Sequence, residues 1–221
     1  MKITELAADA WHLTATGPRV ALGLAGPPGA GKSTLARALV DALERRHGAG
    51  AAAYLPLDGF HLSNAQLERL GLTGRKGSAP SFDVWGYAEL LRRVLAEAGE
   101  GGREVYVPDY DRTLNEPVAA RHVVPPSARL VITEGNYLAC DEPGWRDARR
   151  HLAEVWYVET SDELRQGRLV ERHMTGGRDE ADARAWVLGN DHPNGEQVKA
   201  SRTRCDRILS TVGLDMPKKR Y

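Results

Sequence analysis

The amino-acid sequence predicts an α/β fold with a central parallel sheet of about five strands. Short apolar runs alternate along the chain with longer segments of helical periodicity, as in strand–helix–strand units. The apolar runs are almost continuously hydrophobic, as strands are when helices cover both faces of a sheet. The chain has 221 residues, of which 42% are hydrophobic, so a single domain over residues 1–221 can build its own core.

The composition narrows the class of protein. Lys and Arg number 30 and Asp and Glu number 30, so the chain lacks the basic excess typical of proteins that bind nucleic acid. Cys140 and Cys205 are far apart, which argues against a disulfide framework and against a zinc site. No apolar stretch reaches the roughly 18 residues needed to span a bilayer. We therefore expect a cytoplasmic protein with no nucleic-acid or membrane partner.

The first predicted element is an N-terminal helical extension, residues 1–17. Its pattern is amphipathic, and Glu5, Asp9 and His12 interrupt any apolar run of the kind that a signal peptide needs. We expect Trp11 to pack either on the domain's own sheet or on a neighbouring copy of the chain. The sequence therefore leaves a homodimer open.

The remaining elements follow from the hydrophobic pattern. Apolar runs predict strands at Val20–Ala25, Ala51–Leu57, Glu104–Val107, Leu130–Thr133 and Glu154–Val158, with a short last strand at Arg207–Thr211. Helical spacing predicts helices at Lys32–Arg46, at Tyr87–Ala98, in the stretch after Ser161 and at Asn194–Arg207. The longest segments without such a pattern are Gly71–Pro80 and Pro108–Pro126, and irregular segments of this length are usually functional or mobile.

The strongest motif is GPPGAGKS at residues 26–33, directly after the first strand and at the start of a helix. This is the Walker A pattern in its required context, so the expected fold is the three-layer P-loop NTPase fold. Glycines let successive N–H groups face phosphate oxygens, and the helix N-terminus adds the positive end of its dipole. We expect Lys32 at the β- and γ-phosphates of the nucleotide and Ser33 at Mg²⁺. The residues predicted to bind the nucleotide are Gly26, Pro27, Pro28, Gly29, Ala30, Gly31, Lys32, Ser33 and Thr34.

Two acids follow predicted strands at the same edge of the sheet. Asp58 comes after AAAYLPL, and Glu134 comes after RLVIT. The carboxyl ends of parallel strands share the edge where the P-loop lies, so both acids can approach the γ-phosphate. Glu134 suits a metal-site acid, and Asp58 suits a general base for an attacking hydroxyl. Alternatively, either acid is a helix cap or a turn residue, since Asp58 precedes Gly59.

Several nucleotide-dependent functions remain open at this point. The guanine signature Asn-Lys-x-Asp is absent from the sequence, which argues against a GTPase. A kinase that phosphorylates a nucleoside monophosphate has a P-loop and an arginine lid but needs no general base, so Asp58 would be an unusual feature there. A non-catalytic nucleotide-binding regulator is a further alternative. The sequence favours a kinase that phosphorylates a hydroxyl.

The motifs in order resemble a known family of kinases. GPPGAGKST, DGFH, SFD, PDYDR and TEGNY, followed by an arginine-rich helix, are similar to the uridine kinase, phosphoribulokinase and type I pantothenate kinase group. The resemblance covers roughly residues 19–190 and is strongest to the branch labelled fructose-transport or nucleoside/nucleotide kinase-like. It implies ATP and Mg²⁺ as cofactors and a small-molecule acceptor.

The resemblance also implies roles for single residues. Asp58 corresponds to the catalytic base of this group and Glu134 to its metal-site acid. The Phe-Asp of SFDVWGY places Asp83 near the acceptor, and PDYDR resembles an acceptor hairpin that bears Tyr110 and Arg112.

An arginine-bearing helical lid is expected at about residues 161–188. Arg165, Arg168 and Arg172 are three and four residues apart, which puts them on one helix face. We expect Arg168 and Arg172 to contact phosphates, with Gly176 and Gly177 as a hinge. The alternative is an ordinary solvated basic face.

The acceptor itself is less determined. Arg75 and Lys76 lie in a glycine-flanked loop that is either a mobile turn or a contact for an anionic acceptor. His61 either hydrogen-bonds the acceptor or is a polar residue at a helix entry. Uridine kinases have Asp-Ser-Phe-Tyr where this chain has Asp-Gly-Phe-His, so the acceptor class stays open among a nucleoside, a sugar or sugar phosphate, and a pantothenate-like acid.

Overall fold

Five parallel strands form the central sheet of the computed structural model, which describes residues 2–211 and 213–215. The strands are β1 (Val20–Ala25), β2 (Ala52–Pro56), β5 (Leu130–Gly135), β6 (Glu154–Glu159) and β7 (Arg207–Ser210), in the order β2-β5-β1-β6-β7. This confirms the predicted α/β fold with a parallel sheet of five strands. Residues 1, 212 and 216–221, which the predicted domain includes, lie outside the described residues.

Helices cover both faces of the sheet, so the fold has three layers. One face packs on α1 (Ile3–His12) and α2 (Lys32–His47). The other packs on α4 (Val84–Ala96), α5 (Trp145–Arg149) and α8 (His192–Ala200). The remaining helices are α3 (Asn64–Arg69), α6 (Asp162–Thr175) and α7 (Glu180–Trp186). Because β1 and β5 bury every residue between two layers, the two cores meet along these central strands.

The N-terminal helix packs on its own domain. Leu6, Ala7 and Ala10 are buried in the same core as the apolar face of α2. Trp11 stacks on His47 at the end of α2, with the ring centroids 3.8 Å apart. Of the two placements expected for Trp11, the structure therefore shows the intramolecular one.

The strand predicted at Glu104–Val107 is present, but it belongs to a β-hairpin outside the central sheet. β3 (Val105–Asp111) does not join the central sheet but pairs antiparallel with β4 (Glu116–Val124). The stretch Pro108–Pro126, predicted as irregular, therefore contains most of a hairpin. Its pattern is obscured because the register shifts between Val107 and Asp109, and because β4 exposes consecutive residues instead of alternating ones.

The C-terminal helix is shorter than predicted, and the helical stretch predicted after Ser161 is divided into α6 and α7. The helix predicted at Asn194–Arg207 ends at Ala200, and a 3₁₀ turn leads into β7. A π-helical turn, Val187–Asp191, joins α7 to α8.

Neither α3 nor α5 was predicted, because helices of six and five residues are too short to show periodicity. No described helix has the length and apolar character required to cross a membrane.

Candidate active site

The P-loop connects β1 to α2 and has the backbone shape that phosphate binding needs. Gly26 has φ +151°, and a Cβ there would lie 2.6 Å from the carbonyl oxygen of Val158. Gly29 has φ +79°, and a Cβ there would lie 2.9 Å from the carbonyl oxygen of Arg165. Only glycine fits at these two positions, which explains why the motif has glycine there. Since the loop ends at the N-terminus of a 16-residue helix, it fits a triphosphate.

Lys32 is buried at the first turn of α2. Its ammonium group donates to the carbonyl oxygen of Pro27 at 3.1 Å and to Oδ1 of Asn136 at 2.7 Å. Burial lowers the pKa of Lys32 to about 8, although the carboxylates of Glu134 and Asp58 act in the opposite direction. The cation is thus held by neutral oxygens in a site that would favour an anion. No sequence motif indicates Asn136 as a partner of Lys32.

Glu134 lies near the end of β5, 3% exposed, beside the P-loop helix. The hydroxyl of Ser33 hydrogen-bonds its carboxylate, and the hydroxyl of Tyr54 donates to Oε1 at 2.8 Å. Burial raises the pKa of Glu134, and the nearby charge of Asp58 raises it further. A carboxylate next to a serine hydroxyl at a phosphate site is a donor set that suits Mg²⁺. Tyr54 was not predicted to reach this site.

Asp58 lies directly after β2, in a 3₁₀ turn spanning Leu57–Phe60. Its carboxylate pairs with Arg112 of the hairpin at 3.3 Å. Burial opposes ionisation of Asp58, but His61, Arg112, Arg172 and Lys32 together hold its pKa below the ordinary value. Asp58 is therefore ionised at neutral pH and able to accept a proton.

The hairpin reaches Asp58 because the next residue is glycine. A Cβ added to Gly59 would overlap the carbonyl group of Pro108 in β3. The close approach of these two backbones places Arg112 beside the carboxylate of Asp58. The glycine that could have marked an ordinary turn is thus a packing contact.

The tautomer of His61 follows from its contact with the backbone of Asp58. Its Nδ1 lies 2.8 Å from the carbonyl oxygen of Asp58, and because a carbonyl only accepts, Nδ1 must carry the proton. Burial lowers the pKa of His61, so the ring is neutral at neutral pH and Nε2 is unprotonated. The ring packs beside Phe82 and Tyr110, at centroid distances of 4.1 and 4.8 Å.

The other predicted acceptor residues differ in how they are held. Lys76 donates to Oδ1 of Asn64 and to the carbonyl oxygen of Asn115, each at 2.6 Å. The hydroxyl of Tyr110 also bonds Asn115, at 2.6 Å. Arg75 is exposed on the neighbouring turn. Asp83 is exposed and accepts from the backbone N–H of Gly86 at 2.9 Å, so it caps α4, and its contact with the acceptor stays a prediction.

The three lid arginines of α6 have different environments despite their common spacing. Arg165 is 1% exposed, donates to the carbonyl oxygen of Pro28 at 2.9 Å and pairs with Asp162 at 2.7 Å. Through this bond to Pro28, Arg165 stabilises the backbone of the P-loop. Arg168 is exposed and donates to the carbonyl oxygen of Gly29 at 3.2 Å. Arg172 is exposed, and its charge helps to lower the pKa of Asp58, so it lies near that carboxylate.

The π-helical turn contacts both α6 and the loop that contains Lys76. Asn190 is buried and donates to the carbonyl oxygen of Lys76 at 2.8 Å. The next residue, Asp191, lies 2.7 Å from Nε2 of His173 in α6. Two consecutive residues therefore contact two different parts of the chain, the loop that contains Lys76 and the helix α6. Hydrophobic periodicity gave no signal for this turn.

Together the fold and the site define a P-loop kinase: a phosphate loop, a buried lysine, two acids at strand ends and an arginine-bearing helix. The chain belongs to the Phosphoribulokinase / Uridine kinase family, whose model matches residues 21–193. It is therefore an ATP-dependent kinase of small molecules.

Individual relatives agree with this assignment. A "Putative uridine kinase" of Schizosaccharomyces pombe is 33% identical over 206 residues, covering 90% of this chain and 86% of that protein. A pantothenate kinase of Leifsonia xyli is 29% identical over 211 residues, covering 85% of this chain and 64% of that protein. The crystal structure of a "putative fructose transport system kinase" from Silicibacter has a TM-score of 0.82 at 34% identity, covering 95% of this chain and 99% of that one.

Proposed function

We propose that this kinase transfers the γ-phosphoryl group of ATP to a hydroxyl of a small polar metabolite, with Asp58 as the general base. The observation that carries the proposal is the position of Asp58. It is an ionised carboxylate at the end of β2, close enough to Lys32 and Arg172 for their charges to lower its pKa. A base at this place serves an acceptor that must lose a proton on attack.

The residues divide the reaction between them. As the acceptor oxygen forms its bond to the γ-phosphorus, the hydroxyl proton passes to Asp58 and the bond to the leaving ADP oxygen breaks. Lys32, Arg168 and Arg172 stabilise the negative charge on the transferring group. Ser33 and Glu134 would hold Mg²⁺, which supplies further neutralisation of phosphate charge when bound.

The acceptor side favours a polyhydroxylated metabolite. Asp58 accepts a proton from the reacting hydroxyl, and Nε2 of His61 is available to accept a hydrogen bond from a neighbouring hydroxyl. A sugar or a nucleoside ribose presents two such donors side by side. Lys76 is already bonded to two protein oxygens, which leaves the exposed Arg75 as the cation of that loop for an anionic acceptor. A sugar phosphate or a pantothenate-like acid stays within the proposal.

The alternatives have less support. A nucleoside monophosphate kinase transfers to a phosphate, which needs no base, so an ionised Asp58 at that position would have no role. A non-catalytic regulator agrees poorly with membership in a family of kinases.

The test is ATP consumption with a panel of nucleosides, sugars, sugar phosphates and pantothenate, comparing the wild type with Asp58→Asn. We expect the productive acceptor to be used on the order of a hundredfold more slowly by the variant, with ADP binding unchanged. Asp41→Asn, on the exposed face of α2, is the matched control and should behave as wild type. Equal turnover by Asp58→Asn and the control would exclude Asp58 as the base.

A further inference from the structure

The metal-site acid has a tyrosine partner on the neighbouring strand. The hydroxyl of Tyr54 donates to Oε1 of Glu134 at 2.8 Å, and Tyr54 itself is 9% exposed. β2 and β5 are parallel, and Glu134 is level with Pro56, two residues beyond Tyr54. The ring therefore extends along the strand direction toward the catalytic edge of the sheet.

Two further side chains contact the tyrosine ring, and a third side chain joins them. The guanidinium carbon of Arg37, from α2, lies 4.7 Å from the ring centroid. The ring of His122, from β4, meets it edge-on at 5.2 Å and 79°. Both groups bind the same oxygen, Oδ2 of Asp109 in β3, at 3.4 Å for Arg37 and 2.8 Å for His122. We refer to Arg37, Asp109 and His122 as the tyrosine clamp.

We propose that Tyr54 is a positioning residue that fixes the carboxylate of Glu134 for Mg²⁺, and that the tyrosine clamp links this metal site to the acceptor hairpin. The inference rests on the proposed function, in which Glu134 is the metal-site acid. The last torsion of a glutamate side chain is broad, so a hydrogen bond at one oxygen decides how the other is directed. Outer hydrogen bonds of this kind typically contribute 10- to 100-fold to metal affinity.

The opposite face of β5 provides a matched comparison. The hydroxyl of Tyr87 lies 2.8 Å from Oγ1 of Thr133, the residue before Glu134, and Tyr87 is fully buried. Each tyrosine thus makes one buried hydrogen bond to β5, but only the bond of Tyr54 ends on the metal-site acid. If Tyr54 were merely structural, loss of either hydroxyl would have the same consequences.

The experiment compares Tyr54→Phe with Tyr87→Phe in the full chain. Mn²⁺ binding to the enzyme–ADP complex is titrated by electron paramagnetic resonance, with Mn²⁺ as the probe. We expect Tyr54→Phe to bind Mn²⁺ about tenfold more weakly and Tyr87→Phe to match wild type. In turnover, Tyr54→Phe should need correspondingly more Mg²⁺ for half-maximal rate and should recover most of its rate at saturating Mg²⁺.

Two more variants separate the inference from the proposed function. Glu134→Gln should weaken Mn²⁺ binding at least as much as Tyr54→Phe does, and unchanged binding would overturn the metal role of Glu134 itself. Weakened binding in Glu134→Gln with equal binding in the two tyrosine variants would overturn only the inference. Arg37→Met, which changes an exposed residue of the clamp, should shift the Mn²⁺ affinity in the same direction as Tyr54→Phe, and an unshifted affinity would remove the clamp from the proposal.

Discussion

At the scale of single residues, the most informative group of the site is Lys32, a charged side chain that is buried away from water. Lys32 is buried, and its positive charge is satisfied by the neutral oxygens of Pro27 and Asn136. A triphosphate offers the same ammonium group several anionic oxygens. A bound anion offsets the effect of desolvation on the pKa of Lys32, and nucleotide affinity is therefore linked to the proton on Lys32.

This linkage predicts how nucleotide binding depends on pH. Burial lowers the pKa of Lys32 from 10.5 to about 8 in the ligand-free protein, so the group loses its proton as the pH rises through 8. The bound phosphates require the protonated form, so affinity for ATP should be constant below pH 8 and fall by up to about tenfold per pH unit above it. Isothermal titration between pH 7 and 9.5 measures this. Lys32→Met should bind weakly and without that slope, whereas a wild-type affinity that is flat to pH 9.5 would contradict the assignment.

The sequence identified residues by motif but could not show their partners. Lys32, Ser33, Asp58 and Glu134 were all predicted, because a motif or a strand end marks each of them. The bond from Tyr54 to Glu134 depends on the register between two strands far apart in the chain, which no local pattern records.

The same limit applies to the lid arginines. Their spacing placed Arg165, Arg168 and Arg172 on one face, but burial separates the first of them from the others. Spacing alone cannot distinguish an arginine that supports the P-loop from one that lies near the carboxylate of Asp58.

At the scale of elements, the hairpin and the turn after β2 form one packed unit. Gly59 lets the carbonyl group of Pro108 approach, and Arg112 and Tyr110 follow along the same strand and its turn. The hydrophobic pattern predicts the central strands, whose residues are buried on both faces, but not the hairpin, whose residues are partly exposed. Hydrophobic periodicity reflects which residues are buried, so a hairpin whose residues are mostly half-buried or exposed shows little of it.

The contact between Gly59 and the hairpin predicts a selective defect. Gly59→Ala forces the hairpin away from Asp58, because the new Cβ overlaps the backbone at Pro108. We expect a loss of about 1–3 kcal/mol in unfolding free energy and a tenfold or greater loss of kcat/KM for the acceptor, with ADP binding retained. Gly167→Ala, where a Cβ meets nothing within 4 Å, is the control. An unaltered kcat/KM in Gly59→Ala would mean that the hairpin does not position the acceptor.

At the scale of the whole molecule, the sheet separates two cores that depend on different parts of the chain. The core on the α2 face is completed by α1, which precedes the region matched by the family model, residues 21–193. Leu6 is fully buried there, together with Leu35 and Leu39. The N-terminal helix α1 therefore packs in the same layer as α2, the helix that follows the P-loop.

This arrangement predicts a stability effect at a site remote from the chemistry. Leu6→Ala should lower the free energy of unfolding by about 2–5 kcal/mol, the cost of removing a fully buried leucine. Urea denaturation monitored by circular dichroism gives the value. Thr4→Ala, an exposed change on the same helix, should lie within about 0.5 kcal/mol of wild type. If the two variants were equally stable, α1 would not be part of the core.

The π-helical turn between α7 and α8 also sets the directions in which side chains before and after it point. Successive residues of an α-helix point about 100° apart, and a π turn holds one residue more between hydrogen-bonded partners than an α turn does. Chain length at this point thus fixes the angular offset between the helix before the turn and the helix after it. Asn190 donates to the backbone at Lys76, and Asp191 contacts His173 of α6. Both contacts require this angular offset. The number of residues in the π turn, and not only the two side-chain contacts, therefore fixes how α6 and the loop that contains Lys76 are placed relative to each other.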